Sequence, residues 1–160
     1  MNKKLSIVLG CLMVASAAQA GENGFTIGAQ TGTLHIHDEP NASMSGIHGS
    51  YRYYFTDRLS GEVDAAISHA NTSESDKIRS VTFGVGYDYP LNDKFTIRPK
   101  IALGAFQASY NSGSSQGAMQ KFGVEVAYKE NVSFEVYESH YKSGSGAGAL
   151  GTNVALNYKF

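Results

Sequence analysis

The stretch Gly151–Phe160, "GTNVALNYKF", alternates without a break. Val154, Leu156, Tyr158 and Phe160 are large and mostly apolar. Asn153, Ala155, Asn157 and Lys159, between them, are small or polar. A period of two belongs to a β-strand with two unlike faces. The rhythm holds to the last residue, which is aromatic. An apolar face kept to the end is expected of a strand that meets lipid.

The same rhythm recurs upstream, and no sustained 3.6-residue pattern appears after Ala20. "FTIGAQTGT" begins at Phe25. "GIHGSYRYYF" aligns Ile47, Gly49, Tyr51, Tyr53 and Phe55. "LSGEVDAAISH" aligns Leu59, Val63, Ala65 and Ile67, and "SVTFGVGYDY" aligns Val81, Phe83, Val85, Tyr87 and Tyr89. "FTIRPKIALGAF" aligns Phe95, Ile97, Ile101 and Leu103, and "KFGVEVAY" aligns Phe122, Val124, Val126 and Tyr128. "VSFEVYESHY" opens with Val132, Phe134 and Val136. With the C-terminal stretch, these make eight segments.

The connections alternate in character. "TDR", "LND" and "KEN" are tight turns of turn-forming residues. "HDEPNASM", "ANTSESDK", "NSGSSQGA" and "KSGSGAGA" are longer and rich in Ser, Gly and Asn. This predicts an all-β fold: an eight-stranded antiparallel transmembrane β-barrel with short periplasmic turns and four longer extracellular loops. Segments of about ten residues suit tilted strands crossing a bilayer.

Alternation alone leaves the outward face open, because a lipocalin-like barrel turns its apolar face inward. Size breaks the tie. The other face carries Gly84, Gly86, Ala102, Gly104, Gly123, Ala127, Gly151 and Ala155, and the inside of a closed sheet has less room than the outside. That face also carries Arg52, Arg98, Lys100, Lys121 and Lys159 against Glu62, Asp64, Asp88, Glu125 and Glu135. Such a balance suits an interior in which buried charges must be paired. Phe25, Tyr53, Phe55, Tyr87, Tyr89, Phe95, Tyr128, Phe134, Tyr158 and Phe160 all fall at the short-turn ends and predict an aromatic girdle at one membrane interface.

At the other end, Lys3 and Lys4 precede an apolar run from Leu5 to Ala18, and Ala18-Gln19-Ala20 fits a small-x-small cleavage site. Residues 1–20 therefore read as a secretory signal peptide, with Cys11 inside it, and 21–160 as one barrel domain. The expected mature chain has no cysteine, so no disulfide supports it. Removing Lys3 and Lys4 from the 13 basic residues leaves 11 against 14 acidic ones. A net charge of this sign and size does not suit nucleic acid. The expected location is the bacterial outer membrane.

"GSYRYYFTDRLSGEVDAAISH", "FGVGYDYPLNDKFTIRPKIALGAF" and "FGVEVAYKENVSFEVYESHYKSG…NVALNYKF" resemble the Ail/outer-membrane-protein-X group and the membrane domain of outer membrane protein A. The resemblance spans nearly the whole of 21–160. It implies a small, monomeric outer-membrane barrel in contact with lipid and lipopolysaccharide. It also implies that Tyr158 and Phe160 form the terminal signal read by the barrel-assembly machinery. "ESHYKSG" resembles the His-x-Ser segment of barrel lipid A deacylases. His140 matches the histidine, but Lys142 stands where the serine belongs and Ser143 comes one residue late. Thr152 or Asn153 stands near the place of the acid. A nucleophile needs its base and its orienter, so no catalytic residue is assigned.

His35, His37, His48, His69 and His140 all fall toward the long-loop ends. His35 or His37 with His48, backed by Asp38 or Glu39, is the nearest approach to a metal site. Spacing of i,i+2 in a strand is not specific for one, and the competing reading makes these histidines amphipathic interface residues. No cofactor is expected. In "VSFEVYESHY" an unbroken register turns Glu138 to lipid, whereas a bulge near Val136–Tyr137 turns it inward. Three functions compete. The first is a structural or surface-interaction barrel without open pore or catalysis. The second is an adhesin of the Ail type, and the third a lipid A deacylase-like enzyme. The loops carry few of the Trp, Tyr and Arg residues typical of binding hot spots, which favours the first.

Overall fold

The computed structural model describes residues 23–36, 40–72, 76–111, 113–129, 131–144 and 148–160. The expected signal peptide, Cys11, His37, Asp38 and Glu39 lie outside these residues. Among the described residues nine strands follow one another: β1 Gly24–Ile36, β2 Ala42–Tyr54, β3 Leu59–Ala70, β4 Asp76–Tyr87, β5 Tyr89–Pro90, β6 Phe95–Tyr110, β7 Gly113–Tyr128, β8 Val132–Ser143 and β9 Gly148–Lys159. The two-residue β5 carries the line of β4 on along β6 past Asp88. The other eight are antiparallel to their neighbours. Pairing of β1 with β9 and of β4 with β6 closes the sheet. Closure leaves no free edge, as a sheet in lipid requires.

The faces divide by residue size. Ile47, Phe83 and Leu156 are 63%, 65% and 61% exposed on the outside. In a soluble protein such a continuous apolar belt would be an association site; here it is the surface that lipid covers. Glycine and alanine line much of the inside. At Gly123 an added Cβ would stand 2.6 Å from the Cβ of Tyr137, so the inward Tyr137 ring needs a glycine opposite it. The aromatic girdle is present as ring pairs. Centroids lie 4.8 Å apart for Tyr87–Tyr89, 5.2 Å for Phe95–Tyr128 and 5.0 Å for Tyr158–Phe160. The Phe160 N–H donates to the Phe25 carbonyl at 2.9 Å, which fastens the last residue to β1.

Strand pairing runs further into the Ser/Gly-rich connections than composition suggests. In "NSGSSQGA" the ladder resumes at Gly113, opposite Tyr110, and continues through Ser114, Ser115 and Gln116. Likewise Ala42, Asp76 and Gly148 already belong to strands. A β-ladder is made by backbone groups, so small side chains that look loop-like do not prevent it. The register of β8 is unbroken: Val136 faces Val124, Tyr137 faces Gly123 and Glu138 faces Phe122. No bulge intervenes. Tyr137 is buried inside, and Glu138 faces out with its side chain 57% exposed.

Candidate functional site: the barrel interior

Three inward zones succeed one another from the short-turn end. In the first, Arg98 on β6 donates through Nε and Nη2 to the Asp88 carboxylate, and through Nη2 to the Tyr54 hydroxyl at 2.5 Å. Tyr54 O–H in turn donates to Asp88 Oδ2 at 2.9 Å. Lys159 lies in this zone, its Nζ 5.9 Å from the Tyr54 ring centroid.

The second zone is a charge lattice. Arg52 and Glu62 face each other on β2 and β3, and Arg52 Nη2 lies 2.6 Å from Glu62 Oε2. The same Nη2 reaches Glu125 Oε2 on β7 at 2.7 Å. Strands β2 and β7 are not neighbours, so this contact crosses the lumen. Glu125 and Glu135 oppose each other directly on β7 and β8. Like charges in that position repel, and Lys100 stands against both, 3.3 Å from Glu125 Oε2 and 3.0 Å from Glu135 Oε2. Lys100 also meets Glu62 at 3.1 Å, Arg98 Nη1 meets Glu125 Oε1 at 3.1 Å, and Lys121 lies 3.5 Å from Glu135. Beside the lattice a cavity of ≈ 20 Å³ remains, room for about one water molecule.

Asp64 does not join the arginines. It accepts from His48 Nδ1 at 2.7 Å, and His48 Nε2 faces Asn157 Oδ1 at 2.8 Å. Both ring nitrogens thus face acceptor oxygens, which a ring protonated on both satisfies. Gly28 makes room for the group: a Cβ there would collide with His48 and Asn157. The structure separates His48 from His35, the two described members of the weak metal candidate. His48 is buried inside, whereas His35 lies on β1 with its Nδ1 2.8 Å from the exposed Asn41 side chain. The strand pleat puts His35 on the outer face, so the two imidazoles do not converge. Among the described residues no group of three or more His, Cys, Asp or Glu side chains is placed to hold a metal.

Above these charges a neutral relay crosses the barrel. Tyr137 O–H donates to Gln30 Oε1 at 2.5 Å, and Gln30 Nε2 donates to Ser68 Oγ at 2.6 Å. The third zone is apolar. Leu34, Met44, Ile78, Phe106 and Met119 pack together at the long-loop end, with Ile36, Tyr110 and Tyr141 against them. This zone and the His48 group are absent from the sequence reading, yet a signal for both exists. Leu34, Met44, His48, Ile78, Phe106 and Met119 all have the parity opposite to the outward residues of their own segments.

On the outer face, His140 Nε2 lies 3.7 Å from Glu138 Oε2. Ser139 on the same strand is fully buried, and Ser143 bonds Ser115 through its hydroxyl at 2.8 Å. Across the strand pair, the residue opposite Glu138 is Thr152, and Leu150 stands opposite His140. No serine joins His140 on its face of β8.

A closed sheet with an apolar outside, an aromatic girdle and a self-paired charged inside defines a small membrane-spanning β-barrel. The chain belongs to the outer membrane protein beta-barrel domain family, which matches residues 5–160. That family places it in the bacterial outer membrane. Solved structures share the fold. Neisserial surface protein A is 17% identical, with a TM-score of 0.66 over 89% of this chain and 99% of that one. The outer membrane enzyme PagL is 12% identical, with a TM-score of 0.70 over 83% and 98%. Ail, the attachment invasion locus protein of Yersinia pestis, is 15% identical, with a TM-score of 0.58 over 86% and 97%. No curated protein matches the chain in sequence.

Proposed function

We propose that the protein is a structural and surface-interaction barrel of the outer membrane that neither conducts nor catalyses. The observation that carries this reading is the lattice around Glu125, which joins β2, β6 and β7 across the lumen. An eight-stranded barrel is just wide enough for side chains to fill. Breaking several buried ion pairs to open a path would leave charges unpaired in a confined space. Against catalysis stands the outer face of β8, where His140 has Glu138 beside it but no serine. The test is conductance. Purified protein in planar bilayers is expected to give no stable, porin-sized steps, and large reproducible steps from pure protein would refute the plugged interior.

Export after cleavage at Ala20, a monomeric state and contact with lipopolysaccharide belong to the same proposal. So does recognition of Tyr158 and Phe160 by the barrel-assembly machinery. Its support is the end of the chain, where Phe160 is 71% exposed and hydrogen-bonded to the first strand. Phe160→Asp is expected to cut the amount of inserted protein severalfold in cells, whereas Gly148→Asp near the opposite rim leaves it near normal. Equal levels would deny the ending any special role.

A further inference from the structure

The apolar zone is hollow at its top. A cavity of ≈ 230 Å³ opens there, lined among others by Leu34, Ile78, Phe106 and Ala108. Outside the barrel, a groove of ≈ 720 Å³ crosses the upper ends of β7, β8, β9 and β1. The groove is lined by His35, Gln120, His140 and Lys142 together with Leu150. Inner cavity and outer groove share Ile36, Tyr141, Gly148 and Ala149 as lining. They therefore meet at the rim formed by the ends of β1, β8 and β9. Tyr141 links the two, because its ring stands edge-on to Phe106 at 5.2 Å. Gly148 and Ala149 keep the rim thin. Among the described residues, a Cβ at Gly148 would meet the Tyr141 carbonyl oxygen at 3.5 Å, an ordinary contact.

The two sides of this rim differ in chemistry. The inner side offers apolar walls, with the buried carboxylate of Asp76 in the mouth. The outer side offers an exposed Lys142 and two imidazoles, one of them partly engaged by Glu138. The outward apolar belt also stops early here. On β8 it runs only from Val132 to Val136 before Glu138, whereas on β6 it extends from Phe95 to Ala105. Polar side chains on β8 thus begin nearer the short-turn end than on β6.

We propose that this rim is a binding site for a single-chain anionic amphiphile. Its acyl chain bends over Gly148 and Ala149 into the apolar cavity, and its head stays outside against Lys142, His140 and His35. The orientation follows from the lining: Leu34, Ile78, Phe106 and Ala108 wall the inner cavity, whereas Lys142, His140 and His35 stand on the outer groove. Apolar lining with a few convergent polar groups is the usual make-up of a ligand site, and barrel mouths are a usual place for one. The shared chemistry is one straight chain with a negative head, which a fatty carboxylate or an anionic lysophospholipid such as lysophosphatidylglycerol supplies. The inference is independent of pore closure below, because the charge lattice lies under the cavity.

The test uses the chain folded into phospholipid nanodiscs, with two probes in separate arms. One is a sixteen-carbon fatty acid and the other a lysophosphatidylglycerol of equal chain length, each with a diazirine at the methyl end. After irradiation, labelled peptides are located by mass spectrometry. The expected result is label on Ile78, Phe106 or Met119 from at least one probe, displaced by the unlabelled compound. The arm that labels names the source of the chain. Gly148→Phe, at a position where a Cβ makes only ordinary contact with the described residues, places a ring at the rim and is expected to reduce that label at least tenfold. Lys142→Glu, on the exposed face, is expected to weaken binding about tenfold while heat-modifiable gel migration stays normal. Label from both probes confined to lipid-facing residues such as Leu103 and Phe122 would overturn the proposal. So would unchanged inner labelling in both variants.

Discussion

Glu125→Leu is expected to destabilise the folded barrel by about 3–5 kcal/mol, measured as urea-induced unfolding from phospholipid vesicles. The Glu125 side chain is 4% exposed and accepts from Arg52 and Arg98 while lying 3.3 Å from Lys100. Removing it leaves Arg52, Arg98 and Lys100 with Glu62, Asp88 and Glu135, one negative charge short of the lattice, where little water can enter. A buried charge that loses its partner keeps its desolvation cost and loses the attraction that offset it. Glu125→Gln keeps the shape and one acceptor oxygen, so a smaller loss is expected, because neutral hydrogen bonds are weaker than charge-assisted ones. The same change at an exposed carboxylate such as Asp57 should fall within about 0.5 kcal/mol. A loss under about 1 kcal/mol for Glu125→Leu would mean that water enters the lattice freely, and the closed interior would fall with it.

Phe83→Arg is expected to cost about 2–4 kcal/mol, the range for a cation placed at the bilayer midplane on the outside of a barrel. Phe83 stands between Val63 on β3 and Leu103 on β6, in the middle of the belt. Ser45→Arg gives the contrast. Ser45 also faces out, but between Thr31 and His69 near the upper edge, where the same charge costs about 0–1 kcal/mol. Both variants are read by unfolding in the same vesicles, so the difference between them reports depth together with the loss of the Phe83 ring. Equal costs would show that the belt inferred from the apolar outside is not the lipid-covered surface.

Much of this molecule is legible without coordinates because a strand has a period of two. Once Val154, Leu156, Tyr158 and Phe160 are assigned outward, the parity of every other segment follows. The outer faces of all eight long strands agree with that reading. The girdle is legible for the same reason, since its residues cluster at one end of each segment. The family places the barrel in the outer membrane on grounds separate from periodicity.

Where the reading used position along a segment without parity, it missed. His48 was grouped with His35 by its nearness to a loop, yet the pleat turns the two to opposite faces. Phe106 and Ile78 carry the parity opposite to the outward residues of their strands, and the structure buries both. Small polar residues such as Ser114 and Ser115 looked like loop and proved to be ladder.

The sequence by itself determined the eight long strands, the outward face and the charged character of the inner one, because these depend only on alternation within each segment. Only the tertiary structure decided which inward charges meet. Arg52 reaches Glu125 from 73 residues away, and that contact depends on closure and on the stagger between strands. A shift of β8 by one residue would exchange Tyr137 and Glu138 between lumen and lipid. Backbone pairing along β7 and β9 sets that register, and no short stretch of sequence carries it.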